Sequence, residues 1–187
     1  DGSQGGGIII YVRKFFAVNV IARMCNQHLE AILVEVLSTN LKLKIMAVYR
    51  PPSGNLSSFY DSMDDFFSQH SDLIIVGDMN INLLNINACN QYRDLLMMND
   101  FSVANNSVTR PASGSLLDHI VLKNNTNALI YTAKNYKLSD HNFIVMLMKI
   151  THHTNWMHTT VSKLNYPRIR DALIPADLIN IVNECQN

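Results

Sequence analysis

The chain has 187 residues, 48% hydrophobic and 16% charged, a balance that excludes an intrinsically disordered chain and suits one domain with a buried α/β core. Its formal net charge is zero, so composition does not announce a nucleic-acid partner, and one would have to be met by local geometry. Three cysteines far apart in sequence (Cys25, Cys89, Cys185) exclude a disulfide framework and a zinc spacing and point to a reducing, intracellular setting; no apolar run is long enough to span a membrane and no signal peptide is visible.

The first predicted element is a strand from Gly7 to Val12, a β-branched run after glycines. Leu29 to Leu37 and Lys42 to Tyr49 read as two strands of a hairpin turning at Ser38-Thr39-Asn40, the second ended by Arg50-Pro51-Pro52. Asn55 is placed to cap a helix reaching His70, with Leu56, Phe59, Tyr60, Met63, Phe66 and Phe67 at helical spacing. Asp72 to Val76 is a short continuous apolar strand, buried on both faces, that ends at Gly77-Asp78-Met79-Asn80. A second helix covers Gln91 to Asn99. Strands follow at Phe101 to Ala104, Leu116 to Leu122 and Phe143 to Ile150. This order favours a layered α/β domain over residues 1–150. The composition then changes, and residues 151–187 read as a linker and a helical segment interrupted by Pro175.

Four short motifs carry candidate chemistry. Asp78 and Asn80 sit at the carboxyl end of a buried strand, where sheet-rim sites are built, and residues two apart face the same way. The Asp can orient or deprotonate water, and the Asn amide can donate to an oxyanion; the same residue types also suit a plain turn. Ser139-Asp140-His141-Asn142 precedes the last strand and joins a cation-holding carboxylate to an imidazole, or is an ordinary strand-entry turn. Asp118 lies in an apolar strand and needs a partner, for which His141 is the best candidate; His119 points to the opposite face and reads as structural. Tyr49 and Arg50 end a strand, where a hydroxyl and a guanidinium can meet phosphate or simply pack and solvate.

Taken in order, Tyr-Arg-Pro-Pro, Gly-Asp-Met-Asn, Leu-Asp-His-Ile and Ser-Asp-His resemble the endonuclease/exonuclease/phosphatase superfamily. The opening Gly5 to Val12, the run Leu29 to Val36 and the Tyr-Arg-Pro-Pro ending resemble its non-LTR retrotransposon endonuclease branch, over residues 5–150. The resemblance implies a four-layer α/β sandwich, two facing mixed sheets flanked by helices, here lacking its first strands. It implies Mg²⁺-dependent phosphodiester hydrolysis, with Mn²⁺ as the alternative ion, on DNA in the nucleus. It places Asp78 on the attacking water and the metal, Asn80 on the transition state, Asp140 in the metal network and His141 on the scissile phosphate. It has Asp118 orient His141, Tyr49 hydrogen-bond the phosphate, and Arg50, Thr109 and Arg110 contact DNA. The tail Lys163 to Arg168 is similar to the segment joining such endonucleases to a reverse transcriptase. No feature points to a membrane or an oligomer.

The same resemblance implies an upstream Glu as principal metal ligand. Of the three glutamates, Glu30 and Glu35 belong to the matched strand and Glu184 to the tail, so weak or absent nicking is expected. The chain starts at Asp1 on a glycine-rich stretch, which reads as a cut from a longer polypeptide. The competing expectations are a non-nuclease phosphodiesterase of the superfamily and a non-catalytic, degenerate copy.

Overall fold

The computed structural model describes residues 7–38, 41–70, 72–124, 126, 128–133 and 139–148, all within one unit, Asp1–His152. The predicted tail after residue 150 lies outside these residues. Among the described residues eight strands and two α-helices follow in the order β1 (Ala17–Cys25), β2 (Glu30–Ser38), β3 (Leu41–Tyr49), α1 (Leu56–Gln69), β4 (Ile74–Asp78), α2 (Ile86–Met98), β5 (Phe101–Val103), β6 (Asp118–Lys123), β7 (Ala128–Ala133) and β8 (Phe143–Met148).

Six strands form a mixed sheet in the order β1-β2-β3-β4-β6-β5, and β7 pairs with β8 in a second, two-stranded sheet. Among the described residues only β3 and β4 run parallel; α1 makes their crossover, as a parallel pair requires. The expected hairpin is β2 with β3, paired from Glu30↔Tyr49 to Ser38↔Leu41. Asn55 caps α1 as expected, its side chain accepting from the Ser58 amide at 3.0 Å.

Strand alternation sorts the apolar residues of the large sheet onto two faces. Ala31, Leu33, Met46, Val48, Ile75 and Val121 join Phe59, Met63, Phe66 and Phe67 of α1 and Tyr92 and Leu96 of α2 in the main core. On the opposite face Ile74, Ile120 and Leu122 pack against Ile130 of β7 and Ile144, Met146 and Met148 of β8. Helices, large sheet and small sheet are thus three layers of the expected sandwich, among the described residues.

Two expectations are corrected. The first strand is Ala17–Cys25 rather than Gly7 to Val12. A strand needs a partner, and the turn that supplies one is built at Asn26: its Oδ1 accepts from the His28 and Leu29 amides at 2.8 and 2.9 Å. That turn folds residues 17–25 back onto β2. The strand β7 has no counterpart among the expected elements, and α2 starts at Ile86, before the expected Gln91.

Where β4 passes β3, Gly77 has φ of +148°, and a Cβ added there would lie 1.8 Å from the Val48 carbonyl oxygen. Only glycine fits this approach. It lets β4 stay in register up to its last residue, Asp78.

Candidate active site

Register assembles the site. Tyr49 pairs with Asp78, and Asp78 pairs with Asp118, so three polar side chains from β3, β4 and β6 form one row at a sheet edge. Directly opposed residues share a face. This row is on the face that carries Ile74, Ile120 and the small sheet. His119, one residue on, therefore points the other way, into the helical core. It is fully buried, its Nε2 3.1 Å from the Ile81 carbonyl and 3.3 Å from that of Leu116, its Nδ1 3.4 Å from the Tyr92 hydroxyl.

The fourth member arrives from the segment before β8. His141 Nδ1 lies 2.7 Å from Asp118 Oδ2, and both side chains keep 22% of their surface exposed. Asp118 is thus the half-open first residue of β6, rather than a carboxylate sealed inside a strand. Ligating atoms of Asp78, Asp118 and His141 all fall within 4.8 Å of one another.

Backbone clamps hold this arrangement. Thr109 Oγ1 accepts from the amides of Leu117 and Asp118 at 2.9 and 3.1 Å, and the Thr109 carbonyl accepts from the Asn142 amide at 2.6 Å. The residues beside Asp118 and His141 therefore share one anchor. Asn105 extends the ladder past the end of β5: its Nδ2 donates to the Asp118 carbonyl and its Oδ1 accepts from the Ile120 amide, both at 2.8 Å. Asn142 Nδ2 donates to the Val108 carbonyl at 3.1 Å. Sequence assigns no such role to Asn105 or Asn142, since an Asn that replaces a ladder bond looks like any loop Asn.

Burial raises the Asp78 carboxyl pKa, opposed by the Asn80 amide that donates to it, reinforced by nearby Asp118, and opposed again by His141 and Arg110. Asn80 follows in the left-handed region at φ +47°, its own amide donating to Asp78 Oδ1 at 2.9 Å. Asn80 Nδ2 donates to the Arg50 carbonyl at 2.9 Å and sits 3.4 Å from Asp78 Oδ2. The donor face of this amide is thus turned inward, a correction to its expected role as an oxyanion donor. Its Oδ1 is the group left to offer.

Three more expectations change. Arg50 is 4% exposed, and Thr109 is fully buried with its hydroxyl engaged as above, so neither is free to meet DNA. Asp140 stands outside the close group of ligating atoms; its Oδ2 instead takes Arg110 Nε and Nη2, each at 2.9 Å. Slight burial raises the Asp140 pKa, but its own backbone amide and Arg110 outweigh this and hold it below the ordinary carboxylate value. Arg110 keeps 42% of its side chain exposed and remains accessible at the rim.

Two carboxylates and an imidazole this close can hold a divalent cation or split proton-handling between them. Both carboxylates are hard oxygen donors, and only one oxygen of Asp118 is taken by His141, so the donor set fits Mg²⁺ or Mn²⁺.

The family described as endonuclease-reverse transcriptase matches residues 43–145, more than half of the chain and all four motifs. The endonuclease domain of TRAS1, a telomere-specific non-LTR retrotransposon, superposes with a TM-score of 0.61 at 15% identity, covering 72% of this chain and 67% of that one. No curated relative matches the sequence. With its motifs on one sheet edge and its layers those of an endonuclease domain, the chain belongs to the endonuclease-reverse transcriptase family.

Proposed function

We propose that this chain carries the DNA-nicking domain of a non-LTR retrotransposon, hydrolysing a phosphodiester with the help of Mg²⁺ or Mn²⁺. The observation that carries the reading is the Asp118–His141 pair at 2.7 Å beside Asp78, with all three in reach of one ion. Asp78 and the second oxygen of Asp118 would hold the cation, which supplies positive charge against the phosphate.

The protein's own groups divide the remaining work. Asp78 takes a proton from water as the new P–O bond forms. Asn80 Oδ1 accepts the other proton of that water as a hydrogen bond and so aims it. Asp118 holds His141 by Nδ1–H, which leaves Nε2 for the phosphate: with the ring doubly protonated, Nε2–H donates to a phosphoryl oxygen or gives its proton to the oxygen that departs as the old P–O bond breaks, and the ring is left neutral. Tyr49, beside Asp78 in the row, offers its hydroxyl, and Arg110 its guanidinium, to the phosphate or its neighbours along the strand. DNA in the nucleus is the substrate this reading assigns. The family's description supports a reverse transcriptase in the same polypeptide, with residues 1–150 as the endonuclease portion and 151–187 as the connection toward it.

Among the described residues the set has two carboxylates, which hold Mg²⁺ weakly, so slow nicking favouring millimolar Mn²⁺ is expected. Conversion of supercoiled plasmid to open circles by the full chain tests this. Nicking should require the ion and drop in Asp78→Asn and His141→Ala. Equal nicking in EDTA, or in both variants, overturns it. The two-carboxylate set and zero net charge also favour a second reading, a non-catalytic DNA-holding copy. Mn²⁺ and DNA binding without any nicking would select that one.

A further inference from the structure

We propose that Arg50 is a positioning residue for the proposed phosphodiesterase site, a buried guanidinium that sets the Asp78–Asn80 turn and through it the direction of the Asn80 amide. The inference rests on the reading of Asp78 and Asn80 given above.

Burying a cation is costly unless its donors are satisfied. Arg50 Nε donates to the Met79 carbonyl at 2.7 Å, Nη1 to the Gly54 carbonyl at 2.8 Å and Nη2 to the Asn80 carbonyl at 2.9 Å. Its main chain joins in. The Arg50 amide donates to the Asp78 carbonyl at 2.9 Å, and the Arg50 carbonyl accepts from Asn80 Nδ2 at 2.9 Å. Every residue from Asp78 to Asn80 is therefore held by this one arginine. Among the described residues no buried side-chain nitrogen or oxygen is left unsatisfied.

The chemistry explains why arginine is needed. After β4 the chain leaves the strand with Asn80 in the left-handed region, and the Met79 and Asn80 carbonyls face the buried guanidinium. Three diverging carbonyls need one donor group with several directions. A planar guanidinium provides them in a fixed fork, and a lysine ammonium on a flexible stem does not. An amide facing the Arg50 carbonyl must present N–H rather than C=O, so the Asn80 orientation follows from the cradle. Its Oδ1 is then left for water or cation. Arg50 touches no reacting atom in this scheme; it acts through Asn80 and Asp78.

The test is nuclear magnetic resonance on the isotope-labelled full chain, with Mn²⁺ titration measured separately by water-proton relaxation. In the parent, Arg50 Nε–H should exchange with solvent about a hundredfold more slowly than that of exposed Arg23. Exchange at the Arg23 rate overturns the proposal, and this measurement needs no variant. In Arg50→Lys that still melts cooperatively, the Asn80 side-chain amide protons should lose their protection, and Mn²⁺ affinity should fall about tenfold. Unchanged Asn80 signals overturn the proposal. If Asp78→Asn leaves Mn²⁺ affinity unchanged, the metal reading of the site fails instead, and the Asn80 signals in Arg50→Lys still decide the role of Arg50.

Discussion

Asp118 and His141, 23 positions apart, meet with Oδ2 2.7 Å from Nδ1. The carboxylate fixes which ring nitrogen is left for a ligand. Asparagine keeps the shape but can present a donor to Nδ1 and carries no charge. Asp118→Asn should therefore lower Mn²⁺-supported plasmid nicking on the order of 10²-fold while the thermal melt stays cooperative. A rate equal to the parent would separate this pair from the chemistry.

Gly77 makes the row possible, and its replacement is predicted to be severe. In Gly77→Ala the new methyl would meet the Val48 carbonyl oxygen at 1.8 Å and its carbon at 2.8 Å. Both are backbone atoms in the centre of the sheet, so no side chain can swing away. The substitution should cost about 3 kcal/mol or more, read as a lower midpoint in urea. A melt matching the parent would mean that β3 and β4 separate without penalty there.

Much of this is legible in the sequence because its signals are local. A continuous apolar run ending in Gly77-Asp78 marks a central strand and its rim, and Asn55 before spaced aromatics marks a capped helix. A carboxylate at Asp118 in need of a partner points to His141 across the fold. What escapes depends on pairing and burial. Branching at Cβ does not by itself decide a strand: the run Ile8 to Val12 loses to Ala17–Cys25 because the Asn26 turn delivers only the latter to β2. Thr109 is expected at DNA through the family resemblance, and Arg50 because a guanidinium at a strand end can pair with phosphate. Their burial follows from inward-facing carbonyls and amides 30 and 9 residues away, which no local window reveals.

Asp78 should be a liability for stability in metal-free buffer. Burial raises its pKa above the ordinary value of 3.8. A carboxyl with a raised folded pKa binds its proton more readily when folded. Its contribution is then complete below the unfolded pKa and is lost as pH rises through the folded value. Asp78→Asn should accordingly melt at a higher temperature than the parent at neutral pH, with the gap closing toward pH 3. A variant that is less stable than the parent at neutral pH would show that the Asn80 amide needs the charge more than burial penalises it.

His119 predicts the opposite slope. Burial lowers its pKa from 6.5 to about 4, with the Leu116 and Ile81 carbonyls opposing. The unfolded chain therefore takes up a proton in this window that the folded chain refuses, so the folded state is stabilised above pH 6.5 and loses that contribution as pH falls toward 4. The full loss amounts to roughly 3 kcal/mol. Two carbonyls beside Nε2 place the single ring proton there, and Nδ1 accepts from Tyr92. His119→Gln keeps a donor for those carbonyls and removes the titration. Urea midpoints from pH 7 down to 4 should fall less steeply for His119→Gln than for the parent. Parallel curves would mean that the imidazole is protonated in the fold, and the carbonyls would then be what holds it charged.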